Sequence, residues 1–206
     1  MAMAPRAPEA VAIAILAKAP GLAKTRLQSV LGEEGAAALQ ARLIARTLET
    51  ARAAGTGPVT LWASPDTTHP ALRTIVLRPG LSLARQPEGD LGERMRVALA
   101  SACPALVIGT DCPALTADHL RAAADVLRSG VDVVVVPVED GGYALIGARE
   151  AHPQLFNDMT WSTATVMADT RRRMTETGLT WRELEQLWDV DVPEDLERLE
   201  RMGFVW

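Results

Sequence analysis

Apolar positions in this chain fall into short unbroken runs that alternate with stretches of helical spacing. Val11 to Ala17, Val59 to Ala63, Ala105 to Ile108 and Val131 to Val138 are apolar or nearly so. Runs of that length with no polar alternation predict strands covered on both faces. Between them, Leu39, Leu43, Ile44, Leu48 and Ala51 mark a core face on a helix over 33–54, closed by Gly55 to Pro58. Leu120, Ala124 and Leu127 do the same over 116–128, with Thr116 as N-cap. Asp90 opens another helix that runs to about Ala102, with Glu93 at its third position. Residues 72–85 hold short elements with a strand near Leu81 to Arg85, and Tyr143 to Gly147 reads as a further strand. Ser162 or Thr163 caps a helix running to about Thr177. Leu179 to Leu187 has mixed polarity, and Pro193 suits the first turn of a last helix. Strands alternate with helices and no repeat or linker interrupts them. The pattern predicts a single α/β domain over 11–206, a three-layer αβα architecture with a mostly parallel sheet. Residues 1–10 read as a frayed tail.

Composition narrows the function classes. Apolar residues make up 48% of the 206 residues and charged residues 23%, the balance of a soluble globular domain with a substantial core. A net charge of −5 argues against a broad nucleic-acid surface. The two cysteines, Cys103 and Cys112, form no CxxC, so neither a disulfide framework nor a zinc site is indicated, and a cytoplasmic location fits. His69, His119 and His152 show no ligand spacing. No apolar run approaches the ~20 residues of a membrane span, and the N-terminus is too polar for a signal peptide. Phe204-Val-Trp206 is an apolar end that must dock on its own core or on a partner, and a homodimer is one arrangement the sequence leaves open.

The chemistry gathers at strand ends. The run Ala105 to Ile108 stops at Gly109-Thr-Asp-Cys-Pro, so one carboxylate, Asp111, stands at the carboxyl end of a central strand, where ligands bind in open α/β sheets. Its plainer role, a helix cap, already belongs to Thr116. The first strand runs into Lys18-Ala-Pro-Gly-Leu-Ala-Lys-Thr-Arg-Leu, in which Pro20 and Gly21 shape a turn and Lys18, Lys24 and Arg26 supply cations. Cations with backbone amides at a helix start make a phosphate site, the alternative being a solvated basic turn. The loop is not a P-loop, since Ala23 and Lys18 stand where glycines are needed, and no G-x-G-x-x-G is present. The loop before Asp90, with Gly89, lies within reach of a ligand, while Asp90 itself reads as a cap. Glu139-Asp-Gly-Gly-Tyr143 follows the strand at 131–138. It reads equally as a hairpin turn and as a site bringing acids beside Asp111. Trp161 is a lid or sugar platform, or more simply a loop anchor. In Trp188-Asp-Val-Asp-Val-Pro-Glu-Asp-Leu, Asp189 and Asp191 could share a divalent cation with Asp111, and Asp191 could equally cap the helix. Glu194 and Asp195 fit a helix start.

Six of these stretches resemble one family when taken in order: Ala-Lys-Ala-Pro…Ala-Lys-Thr-Arg-Leu, Gly-Asp-Leu-Gly-Glu-Arg-Met, Ile-Gly-Thr-Asp-Cys-Pro-Ala-Leu, Glu-Asp-Gly-Gly-Tyr, Trp-Ser-Thr and Trp-Asp-Val-Asp-x-Pro-Glu-Asp-Leu. The family comprises small bacterial glycosyltransferase-like proteins of the GT-A, nucleotide-diphospho-sugar transferase fold, some named arsenosugar biosynthesis glycosyltransferases. The match spans roughly 11–200. The architecture is also similar to phospholactate or phosphoenolpyruvate guanylyltransferases and molybdenum-cofactor guanylyltransferases. The resemblance implies that Lys18, Lys24 and Arg26 hold nucleotide phosphates, with Pro20, Gly21 and Gly89 lining that site. It implies Asp111 and Asp191 as ligands of Mg²⁺ or Mn²⁺. Gly141, Gly142, Tyr143, Trp161 and Ser162 would face the acceptor, with Asp140, or Glu139 in second place, as catalytic base. The family loop carries two more residues between Pro20 and Gly21, and Thr where this chain has Val192. The expected function is transfer of a sugar from a nucleotide-sugar to a small molecule. The alternatives are nucleotidyl transfer from an NTP to a small phosphorylated acid, and a non-catalytic nucleotide-binding module. An Asp111 that serves only as a metal ligand predicts that Asp111→Asn leaves the fold intact.

Overall fold

The computed structural model describes residues 9–76 and 80–206. The buried runs become strands: β1 (Ala12–Lys18), β2 (Val59–Ser64), β3 (Leu81–Arg85), β4 (Ala105–Ile108), β5 (Val133–Pro137), β6 (Tyr143–Ala148) and β7 (Trp181–Glu183). They form one sheet in the order β3-β2-β1-β4-β6-β5-β7. Only β6 runs antiparallel to its neighbours among these strands. The helices are α1 (Gln28–Ala54), α2 (Pro70–Val76), α3 (Leu91–Ala100), α4 (Ala117–Arg128), α5 (Val166–Glu176) and α6 (Glu194–Arg201).

Both faces of the sheet are covered, which is why the strands carry continuous apolar runs. Ile13, Ile15, Leu61, Val134 and Val136 face Ile44 and Leu48 of α1 and Leu120, Ala124 and Leu127 of α4. Ala12, Ala14, Val107, Val133 and Val135 face Met95 and Leu99 of α3 and Met167 and Met174 of α5. A third cluster joins Leu27, Leu39 and Leu43 to Val190, Leu196 and Leu199, seating α6 on α1.

Departures from the sequence reading have local causes. The long helix begins one turn before residue 33 and is interrupted at Gly32, whose φ of 69° and ψ of 174° only glycine adopts readily. α5 starts at Val166 and not at a Ser162 or Thr163 cap. Thr165 occupies the cap position without a side-chain capping bond, its hydroxyl instead pairing with that of Thr163 at 3.0 Å, and the Met167 amide donates to the Gly141 carbonyl at 2.8 Å. Docking on the 139–142 turn therefore sets the helix start. β7 lay hidden in the mixed polarity of 179–187 because it is an edge strand covered on one side only. The predicted tail falls mostly at residues 1–8, outside the described residues; Glu9 is held by the Arg128 guanidinium at 2.8 Å on its carbonyl. Phe204 and Trp206 dock on the chain's own α1–α6 cluster. Among the described residues no helix is long and apolar enough to cross a membrane.

The strand order also fixes where loops meet. β1, β2, β3, β4 and β5 end on one rim, where β6 begins, and the order reverses between β1 and β4. That reversal opens a crevice flanked by the loops after β1 and β4.

Candidate functional site at the carboxyl rim

The loop after β1 is held from two sides. Gln40 of α1, buried, accepts from the Gly21 amide at 3.2 Å and donates to the Lys18 carbonyl at 2.8 Å. Gln86, also buried, donates to the carbonyls of Ala17 at 3.1 Å and Trp62 at 2.8 Å. Gly21 and Lys24 both take left-handed backbone, with φ of 90° and 61°. That turns the Lys24 side chain inward, where 2% of it is exposed. Its ammonium lies 2.8 Å from Asp111 Oδ1 and also donates to the Val190 carbonyl. The Val190 amide in turn donates to the Asp111 carbonyl at 2.8 Å. One ammonium thus joins the β1 loop, the β4 loop and the segment before α6.

This arrangement changes several expected roles. Lys24 points at protein oxygens and not outward to phosphates, so its first task is to compensate Asp111. The Gly21 amide belongs to Gln40 and is not offered to a ligand, and Pro20 has no amide to give. Lys18 is exposed, and Arg26, with 69% of its side chain exposed, ion-pairs with Asp191. Among the described residues no protein acceptor takes the amides of Ala23 and Lys24, which leaves an αL-turned cradle suited to an anion. Asp191 does not cap α6; Asp195 Oδ2 accepts from the Asp191 and Val192 amides at 2.8 and 2.9 Å. The carboxylate that shares Asp111's surroundings is Asp189. Burial, and then the charges of Asp140 and Asp111, push its pKa up to about 6 despite the opposing pull of Lys24. Burial also pushes the Cys112 thiol up to about 12, which leaves it unreactive.

The 139–142 turn delivers Asp140 to the same rim and keeps it exposed, with Oδ1 accepting from the Gly142 amide at 2.8 Å. Glu139 instead takes both arms of the Arg198 guanidinium, at 2.6 and 3.0 Å, and that partner holds its carboxyl below the usual range. Arg198 stacks on Trp188 at 4.4 Å. An acid so engaged is a poor proton acceptor, and Asp140 is the better placed of the two. Gly141 has φ of 90°, and a Cβ there would stand 2.1 Å from the Ala164 carbonyl oxygen, so the turn is packed hard against the start of α5.

Two expected acceptor contacts face the core. The Tyr143 hydroxyl approaches Met95 Sδ at 3.7 Å, and burial drives its pKa up. Trp161 stacks on Phe156 at 6.4 Å between centroids, and its indole lies 2.6 Å from where a Cβ on Gly92 would be. It anchors the 153–163 loop. Ser162 and Gly142 remain at the rim, Ser162 exposed with φ of 61°. Gly89, at φ of 113°, sits in the loop before Asp90, whose Oδ1 caps α3 through the Glu93 amide at 2.8 Å. Gln40 escaped the sequence reading, although a polar residue at helical spacing between Ala36 and Leu43 was a readable signal that a buried partner awaited it.

A family model described as "Uncharacterized protein conserved in bacteria (DUF2064)" matches residues 47–163. No curated protein matches the chain. A solved structure from Desulfovibrio desulfuricans G20, provisionally described as a nucleotide-diphospho-sugar transferase, is 29% identical. It aligns over 94% of this chain and 87% of its own with a TM-score of 0.84. The 4-diphosphocytidyl-2C-methyl-D-erythritol synthase of Anaerococcus prevotii DSM 20548 is 10% identical over 95% and 96% of the two chains, with a TM-score of 0.65. The Mycobacterium tuberculosis H37Rv protein Rv0371C, solved with manganese, is 21% identical over 92% and 97%, with a TM-score of 0.52. The last two are likenesses of fold, and together the three establish a nucleotide-diphospho-sugar transferase type of fold.

Proposed function

The chain belongs to the DUF2064 family, and from that premise we propose that it is a divalent-cation-dependent transferase acting on a nucleotide-activated sugar. The observation that carries this reading is the Lys24–Asp111 pair, which spans the crevice where the strand order reverses. In open α/β sheets ligands bind in that crevice. The likeness to the Desulfovibrio protein supports the donor class.

The carboxylates fit Mg²⁺ or Mn²⁺. Asp111 has 49% of its side chain exposed, and Asp189, raised mainly by burial, also feels the charges of Asp140 and Asp111. Such ions take one or two carboxylates together with substrate phosphates. A cluster of three protein ligands is therefore not needed, and none occurs among the described residues. Asp111 and Asp189 would hold the ion, with Asp191 in reserve behind its pairing to Arg26. When bound, the ion neutralises the departing diphosphate. Lys18, Arg26 and the open amides of Ala23 and Lys24 oppose the remaining phosphate charge. Asp140 accepts the acceptor's proton.

The test is a panel of UDP-, GDP- and dTDP-sugars and of NTPs, each with Mn²⁺, read for binding and for the leaving group. Release of a nucleoside diphosphate supports sugar transfer. Release of pyrophosphate from an NTP assigns nucleotidyl transfer in its place. Binding without turnover across a wide acceptor panel identifies a nucleotide-binding module, and no binding at all overturns the reading.

A further inference from the structure

We propose that Arg94 is a second anion contact, on the α3 side of the β1 tip, which receives a phosphate or carboxylate group of a ligand lying in the crevice. The inference rests on the nucleotide reading for the identity of the ligand, but on Arg94's own surroundings for its charge.

Arg94 lies in the first turn of α3 and is half-buried. Among the described residues it has no carboxylate within ion-pair distance. Its one side-chain hydrogen bond is a long one, Nη1 to Gln86 Oε1 at 3.4 Å, and its Nε is buried with no acceptor. The neighbouring arginine on the same helix, Arg96, is bound through Nε and Nη2 to Glu93, each at 2.7 Å. A half-buried guanidinium with no carboxylate beside it is unfavourable unless something supplies the counter-charge. Gln86 fixes where that charge sits, because the same side chain holds the carbonyls of Ala17 and Trp62 at the ends of β1 and β2. Trp62, on the same face of the sheet, adds a further buried N–H without a partner. The anion cradle at Ala23 and Lys24 and the guanidinium of Arg94 therefore follow one strand tip from its two sides. A planar, bidentate fork suits an oxyanion with two accessible oxygens.

Arg94→Met keeps the aliphatic stem and removes the charge, and Arg94→Lys keeps a charge without the fork. Without ligand, Arg94→Met is expected to melt at or above the wild-type temperature, since it relieves an uncompensated charge. Its affinity for inorganic pyrophosphate, measured by calorimetry, is expected to fall at least tenfold, with Arg94→Lys in between. The nucleotide that the wild type binds from the panel is titrated in parallel. An equal loss for nucleotide places the anion on the nucleotide itself. A loss for pyrophosphate added to the nucleotide-saturated protein, with nucleotide affinity intact, places it on the second substrate. A lower melting temperature with both affinities unchanged overturns the proposal and makes Arg94 a packing residue. Failure of the wild type to bind any nucleotide refutes the functional reading, yet the pyrophosphate arm still decides Arg94.

Discussion

Asp111→Asn has a different expected outcome now that Lys24 stands beside it. The sequence treats Asp111 as a free metal ligand whose charge can be removed without harm to the fold. In the structure the substitution strands an almost fully buried ammonium with the Val190 carbonyl and a neutral amide oxygen. Removing one partner of a fully buried pair costs about 3–5 kcal/mol. Asp111 is half exposed and the asparagine retains an acceptor, so solvent screening reduces this to about 1–3 kcal/mol. For a chain of this length the expected fall in melting temperature is about 3–9 °C. Lys24→Met removes the stranded charge and leaves Asp111 to water, so the double variant should recover much of the stability, with a coupling of about 1–2 kcal/mol between the two positions. Function should not follow stability. The double variant still lacks the carboxylate, and Mn²⁺-dependent nucleotide binding and transfer should stay depressed, transfer by roughly 3 kcal/mol or more of barrier. Thermal unfolding and Mn²⁺-dependent nucleotide titration of the two single variants and the double decide the matter. Additive losses of stability would refute the compensating role of Lys24. Normal metal-dependent binding by Asp111→Asn would refute the metal role.

Asp189, raised from 3.8 to about 6 in the folded protein, takes up protons more readily there than in the unfolded chain, so its contribution to stability should decline as pH rises from about 4 to 6. Asp189→Asn should therefore gain stability relative to wild type at pH 8 more than at pH 4.5, while Mn²⁺-dependent nucleotide binding by the wild type should strengthen as pH rises through 6. Asp140→Asn should abolish transfer with nucleotide affinity retained, whereas Glu139→Gln should lose only a solvent-exposed ion pair, with little change in stability, and keep its turnover; equal losses of rate would reassign the base. Gly141→Ala, which would place a methyl 2.1 Å from a backbone oxygen at a φ of 90°, should destabilise by more than about 2 kcal/mol in chemical denaturation. Gln40→Leu should leave the Gly21 amide and the Lys18 carbonyl without partners and weaken nucleotide binding by more than its fall in stability explains.

Much of this molecule is determined by sequence alone. Short, β-branched apolar runs such as Val133 to Val136 read as strands covered on both faces, and the helical spacing of Leu39, Leu43 and Leu48 reads as a helix seated on one of those faces. The caps at Asp90 and Thr116 are local chemistry, settled by a side chain and an amide three residues on. That Asp111 lies at a rim also follows from the chain order, since a parallel strand that ends on an acid brings it to the carboxyl edge. The partners of these residues did not follow. Lys24 and Asp111 are far apart in the chain, and whether that lysine faces a phosphate or a carboxylate depends on the left-handed turn at Lys24 and on what the β4 loop places beneath it. The choice of Asp189 over Asp191 as the acid sharing Asp111's field was decided by burial. The release of Asp140 over Glu139 was decided by Arg198, which arrives on α6 at the other end of the sequence. The turn of Tyr143 and Trp161 into the core was decided by α3, which covers that face. Periodicity and capping are properties of neighbours along the chain and survive in one dimension. The pairing of charges and the exposure of a side chain are set by segments brought together only when the sheet forms.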